Sequence, residues 1–199
     1  IDAEERLQRV RAAFLANELD TARAILREAP AGAVPPPRLR YYVAQVDYRG
    51  GDFAAAEREL TALLGEPEAA NDPLFRARLL NFRAATLIRG NAVAEAERDY
   101  DAALDALRIR DADLEHGLVL SGRAIARALQ GREAEALADF STARLRLQRA
   151  GDRLGVARVE ANIGAFEMSR GRPAVALEYL GGALAVFEAA AAMNEQQVT

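Results

Sequence analysis

The sequence predicts an all-α chain built from repeated antiparallel helix pairs. Two observations carry this reading. Small residues return at a constant step: Ala56, Ala96, Ala136 and Ala176 are spaced by 40, 40 and 40 residues. Each lies on an apolar stripe of helical period, as in Ala96, Tyr100 and Ala103, with charges on the opposite face. A third observation is negative, since no stretch alternates apolar and polar residues as a half-buried strand does.

Taken in order, the elements justify themselves locally. A faint first copy is "LANELDTARAIL" at 15–26, with Ala22 in the small-residue role. The Pro-rich stretch "PAGAVPPP" at 30–37 breaks any helix and separates that copy from the rest. Four clearer pairs follow, with first helices at 37–49, 73–89, 113–130 and 153–170 and second helices at 52–64, 91–108, 132–149 and 172–188. Gly51, Gly90, Gly131 and Gly171 supply the left-handed residue that closes each first helix. Their spacing of 39, 41 and 40 implies one extra residue at the second of these turns. Asp72 before Pro73 reads as an N-cap followed by an N1 proline, Asp152 as another start, and Pro173 as a first-turn proline. The small residues let two helices approach to about 8–10 Å at their crossing. The larger residue four positions on (Leu60, Tyr100, Phe140, Leu180) fills the space toward the next pair. The expected organisation is one domain over 1–199, with repeats at 3–33 (degenerate), 37–67, 72–109, 112–149 and 152–188. Residues 189–199 are a C-terminal helix extension or tail.

Composition narrows the classes of activity. The 199 residues include 45 Ala and no Lys, so all 26 basic residues are Arg, the mark of a GC-rich bacterial coding bias. A net charge of −4 and a pI of 5.3 argue against a chain-wide phosphate-binding surface. The absence of Cys removes disulfides, thiolate metal sites and Cys nucleophiles. No uncharged apolar run of about 18 residues is present, so no membrane span is expected. The sequence begins at Ile1 with neither an initiator Met nor a signal peptide, and reads as a piece of a larger cytoplasmic bacterial protein.

These residues resemble the tetratricopeptide repeat family, in the longer variant of bacterial regulators and signalling proteins. "NIGAFEMSRGRPAVALEYLGGALAVF" at 162–187 carries the pattern most fully, with Gly164, Gly171, Ala176, Leu180 and Ala183. "GRAIARALQGREAEALADFSTA" at 122–143, "FRAATLIRGNAVAEAERDYDAAL" at 82–104 and "YYVAQVDYRGGDFAAAERELTALL" at 41–64 match it too, and Pro67 lies near the family's closing proline. The step of 40 exceeds the family's usual step of about 34. The resemblance implies a right-handed α-solenoid whose first helices line a concave face and second helices a convex one. It also implies peptide or partner-helix binding in that groove rather than catalysis. Mapped onto this chain, the family's groove positions are Arg38, Tyr41, Gln45 and Tyr48, then Arg78, Asn81 and Arg89, then Ser121, then Arg158 and Asn162. An Asn amide both donates to and accepts from an extended backbone. The family's chaperone-binding clamp needs Lys, which is missing here.

Catalytic constellations are scarce. His116 is the only His and reads as a solvated helix-end residue; no cofactor or metal motif is present. Glu95, Glu97, Asp99 and Asp101 read as a solvated convex face rather than a catalytic carboxylate pair. "GGDFAA" and "LGGAL" follow no strand, so they are not phosphate loops, and Gly181 and Gly182 read as close-packing residues. Charge is asymmetric: the first helices hold 12 Arg against 5 acids, the second helices 8 Arg against 13. That predicts a basic groove attracting acidic segments, with Arg83 and Arg123 running along the inter-helix seam. Nucleic acid is disfavoured because the arginines come without an aromatic stacking series.

The leading expectation is a non-catalytic protein-interaction module with a basic peptide groove. A second reading is the signal-sensing domain of a larger transcriptional regulator, binding a small molecule or peptide. A third is a scaffold that self-associates through its ends, for instance through "EAAAAMNEQQVT" at 188–199.

Overall fold

The structure, a computed structural model, describes residues 3–16, 18–28, 35–108 and 111–197. Of the expected break at 30–37, residues 30–34 lie outside the described residues, and Pro37 opens the third helix. Among the described residues the chain is helical and has no strand. The helices are α1 (Ala3–Leu15), α2 (Leu19–Arg27), α3 (Pro37–Arg49), α4 (Phe53–Leu64), α5 (Pro67–Asn71), α6 (Pro73–Arg89), α7 (Val93–Leu107), α8 (Asp113–Leu129), α9 (Glu133–Arg149), α10 (Arg153–Ser169) and α11 (Pro173–Gln197). They fall into two compact units, Ile1–Asp99 and Tyr100–Thr199. In unit 1, α1 packs on α2, α3 on α4, and α4 on α6. In unit 2, α8 packs on α9, α9 on α10, and α10 on α11.

Local sequence explains the helix ends. Asp72 Oδ1 accepts from the backbone N–H groups of Leu74 and Phe75, both at 3.1 Å, and Pro73 starts α6. Asp52 and Asp152 cap α4 and α10 in the same way. Pro67 does not close a repeat: it opens the short helix α5. Each first helix closes by the same backbone bond, from the N–H of Asp52, Ala92, Arg132 and Arg172 to the carbonyl five residues earlier, at 2.9 Å in all four. This geometry needs one left-handed residue. Gly51, Gly131 and Gly171 provide it at φ +87°, +74° and +71°. At the remaining turn the sequence reading is corrected. Gly90 has φ −82°, and Asn91 takes the left-handed place at φ 64°. Asn enters that region more easily than most L-residues. No extra residue is present, and the turns recur at a uniform 40-residue step.

The small residues do what the spacing predicts. Ala56, Ala96, Ala136 and Ala176 are fully buried. Opposite them, small residues of the first helices accept large ones of the second. Ala44 and Leu60 share one core cluster, and Ala124 and Phe140 another. A methyl added at Gly164 would lie 2.7 Å from Leu180 Cγ, and one at Gly122 would lie 2.5 Å from the Tyr100 ring.

α11 corrects two expectations. Its segment Pro173–Met193 has 21 residues and a hydropathy of 1.5, long and apolar enough by length and composition to cross a membrane. Glu178 and Glu188, which interrupt the run, are too few to disqualify it. In this structure little of that segment is buried. The paired glycines are not close-packed either. A methyl at Gly181 would meet nothing within 4 Å, and one at Gly182 only a Glu160 carboxylate oxygen at 3.7 Å.

The packing generates a paired test. Ala136→Leu, at a buried crossing, should cost ~1–3 kcal/mol through overpacking. Ala138→Leu, on the exposed face of the same helix, should cost under ~0.5 kcal/mol. Urea midpoints of the two variants check this, and equal shifts would contradict the register.

Candidate functional site

The charge arithmetic by helix does not survive folding. Arg83, on α6, chelates Asp99 of α7 with Nε and Nη2, both at 2.7 Å, and Nη1 reaches Thr61 of α4 at 3.3 Å. Forty residues on, Arg123 of α8 chelates Asp139 of α9 at 2.8 Å twice and reaches Asp101 of α7 at 2.7 Å. Arg127 adds a third donor to Asp139 at 2.9 Å. The hydrogen bonds that Arg83 donates to Asp99 push its pKa up, and those that Arg123 donates to Asp139 do the same, so both stay charged. Arg40 pairs with Glu59 and Glu66, Arg38 with Glu68 and Asp72, and Arg170 with Glu133 and Glu167. The first-helix arginines counted toward a basic groove are thus in large part neutralised by carboxylates of neighbouring elements. The acidic series on α7 is only in part a solvated face: Glu95 and Asp101 are exposed, the latter paired with Arg123, but Asp99 is 7% exposed. His116 is half-buried, with Nδ1 3.0 Å from the Ala112 carbonyl oxygen.

Seven of the ten expected groove residues fall in unit 1. Arg38, Tyr41, Gln45 and Tyr48 lie on α3, and Arg78, Asn81 and Arg89 on α6. The structure links four of them through rings that the sequence reading did not single out. Phe75 packs edge-on against Tyr41 (centroids 6.0 Å), Tyr41 against Phe82 (5.9 Å), Phe82 against Tyr48 (5.2 Å), and Tyr48 against Phe53 of α4 (5.2 Å). Arginines cover both ends: the Arg38 guanidinium lies 4.9 Å from the Phe75 centroid and Arg89 lies 5.1 Å from that of Phe53. An aromatic series is therefore present, contrary to expectation. A readable signal existed: Tyr41 and Tyr48, like Phe75 and Phe82, stand seven residues apart, two helical turns on one face. Arg78 is exposed, and Gln45 and Asn81 are half-buried. Burial pushes the Tyr41 phenol up to about 12, against the opposing pull of Arg78 and of a hydrogen bond with Gln45.

The other three lie in unit 2. Asn162 Nδ2 of α10 donates to Ser121 Oγ of α8 at 3.5 Å, and Arg158 is exposed on α10. A separate open cavity of about 220 Å³ is lined by Gln148, Gly151, Arg153, Val156 and Val186. It is smaller than the ~300–1,000 Å³ of usual small-molecule sites.

These features define a helical-repeat protein in which a buried to half-buried run of rings on α3, α4 and α6 is framed by arginines. No protein-family model matches the chain, and no curated protein sequence does. Its fold is similar to solved structures. BtubC (BKLC) from P. vanneervenii shares 18% identity over 93% of this chain and 78% of that one, with a TM-score of 0.65. MamA of MSR-1 shares 15% over 94% and 95%, with a TM-score of 0.56. MamA of AMB-1 shares 17% over 94% and 92%, with a TM-score of 0.53. These likenesses concern the fold.

The Tyr41 environment makes stability pH-dependent. Its folded pKa exceeds the ordinary value of about 10. Its contribution is therefore complete below pH ~10 and is lost as pH rises toward about 12, because the unfolded chain releases that proton first. Urea midpoints at pH 9 and above pH 11 should show a smaller alkaline loss for Tyr41→Phe than for wild type. An unchanged loss would place Tyr41 in water.

Proposed function

We propose that this chain is a non-catalytic interaction module of the tetratricopeptide type, and that the α3/α6 face of unit 1 takes an acidic, extended peptide segment. The observation carrying the reading is the run of edge-packed rings from Phe75 through Tyr41, Phe82 and Tyr48 to Phe53, with Arg38 and Arg89 at its ends. Tyr and Arg are the residue types that dominate interface hot spots, because each couples a rigid apolar body to a polar tip. Asn81 offers an amide that can donate to and accept from a peptide backbone. Arg78 and Arg89 are exposed on the same helix and favour carboxylates. Arg38, held by Glu68 and Asp72, has the role of seating Phe75. In unit 2, Ser121, Arg158 and Asn162 are a second polar patch suited to the same ligand chemistry. The repeat register of small residues and left-handed turns supports the family assignment.

A library of random linear peptides displayed on phage tests this. Wild-type protein should enrich acidic sequences, and binding should weaken with salt as the Debye length falls from ~10 Å at 0.1 M to ~3 Å at 1 M. Arg78→Glu with Arg89→Glu should lose those sequences by more than ~10-fold while stability changes by less than ~0.5 kcal/mol per site. Identical enrichment by the double variant would remove the peptide from this face.

A further inference from the structure

The small cavity of unit 2 carries a second observation, independent of the peptide reading. Repeat register shows what is different there. Asp113, the first residue of α8, forms an ion pair with Arg146 of α9 at 2.7 Å. Forty residues on, the same two places hold Arg153, the first residue of α10, and Val186 of α11. One repeat before Asp113 and Arg146, they hold Pro73 and Ala106, a neutral pair. Of these three pairs, only the last sets a cation at this place with no acid opposite. Arg153 is exposed and has no carboxylate partner among the described residues. The carboxylate of its neighbour Asp152 is committed to the helix start, where Oδ1 accepts from the Gly155 N–H at 2.9 Å. Arg153 and Val186 both line the open cavity of about 220 Å³, together with Val156, Gln148 and Gly151.

We propose that this cavity binds a short aliphatic carboxylate. The ligand supplies the acid that the α10–α11 pair lacks. Its two oxygens meet the Arg153 guanidinium, whose planar fork matches a carboxylate and which stays charged at all physiological pH values. Its hydrocarbon body lies against Val156 and Val186, which would otherwise face water. The Gln148 amide adds a neutral donor, and the positive end of the 17-residue helix α10 favours the same sign of ligand. At roughly 30 Å³ per water-sized group, about 220 Å³ admits about seven non-hydrogen atoms, the size of a five-carbon acid. Inorganic phosphate matches the charge but leaves the valines uncovered. A free acid and the C-terminal residue of a peptide share the chemistry that fits, and the experiment separates these two sources.

The test is a titration of the 199-residue chain with 3-methylbutanoate, followed by ¹H–¹⁵N NMR. The Gly151 and Val156 amides should shift saturably, with a Kd of about 1 mM or tighter. Arg153→Gln, at an exposed position, should weaken binding at least ~10-fold with helicity retained by circular dichroism. Val186→Glu sets a carboxylate of the chain itself opposite Arg153 and should exclude the ligand. 3-Methylbutanamide, which keeps the shape without the charge, and inorganic phosphate should each bind at least ~10-fold more weakly than the acid. N-acetylleucine identifies the source. Tighter binding than 3-methylbutanoate supports the site with a peptide C-terminus as its ligand, and weaker binding supports it with a free acid. The proposal is overturned if neither carboxylate shifts these amides saturably by ~10 mM. It is also overturned if the amide or phosphate binds as well as the acid, or if Arg153→Gln binds as wild type does.

Discussion

A buried carboxylate must be answered by a cation, and in this protein that requirement holds successive helices in register. Asp139 is 6% exposed and receives three arginine hydrogen bonds. Such a group is tolerated only when its pairing is complete, because removing one partner leaves a desolvated charge. The chelating arginines do more than close a pair. Arg83 touches α4, α6 and α7, and Arg123 touches α7, α8 and α9. Each thereby fixes a helix pair against the second helix before it. The geometry depends in turn on alanine: only where Ala96 and Ala136 let the helices approach can a guanidinium span them. In the last repeat the equivalent positions are Ile163 and Tyr179, packed in the apolar cluster of unit 2. A buried ion pair and an apolar pair of similar bulk are near-equivalent solutions to the same seam.

This division of labour shapes the surface. Arginines that answer buried or seam carboxylates are neutralised there, so the α3/α6 face proposed above as a peptide site draws on the remaining arginines and on the rings. In unit 1 those rings are held edge to face by two helices and by the start of α4. Edge packing holds these rings rigid, with Phe75 buried and Tyr41, Tyr48, Phe53 and Phe82 half-buried.

The backbone plan was legible because its signals are local. The 40-residue Ala step, the Asp72–Pro73 cap and the Gly turns each state a conformational need within a few residues of one another. Asn91 was missed because a neighbouring Gly90 offered a more obvious left-handed residue. The aromatic run was missed because its members are far apart in the chain, although the matching seven-residue spacings on α3 and α6 were visible. Net charge per helix misled for a related reason: it counts arginines without their partners, and the partners of Arg83 and Arg123 lie 16 residues away on another helix.

The central claim is that the Arg–Asp seam, not surface charge, ties the two helices of a pair together. A double-mutant cycle on Arg123 and Asp139 measures this directly by urea unfolding of Arg123→Ala, Asp139→Ala and the double variant. The account predicts that each single change costs ~3–5 kcal/mol, and that the double costs less than their sum by ~2–3 kcal/mol. Costs that add to within ~0.5 kcal/mol would mean that the two residues do not act as a unit, and would contradict it.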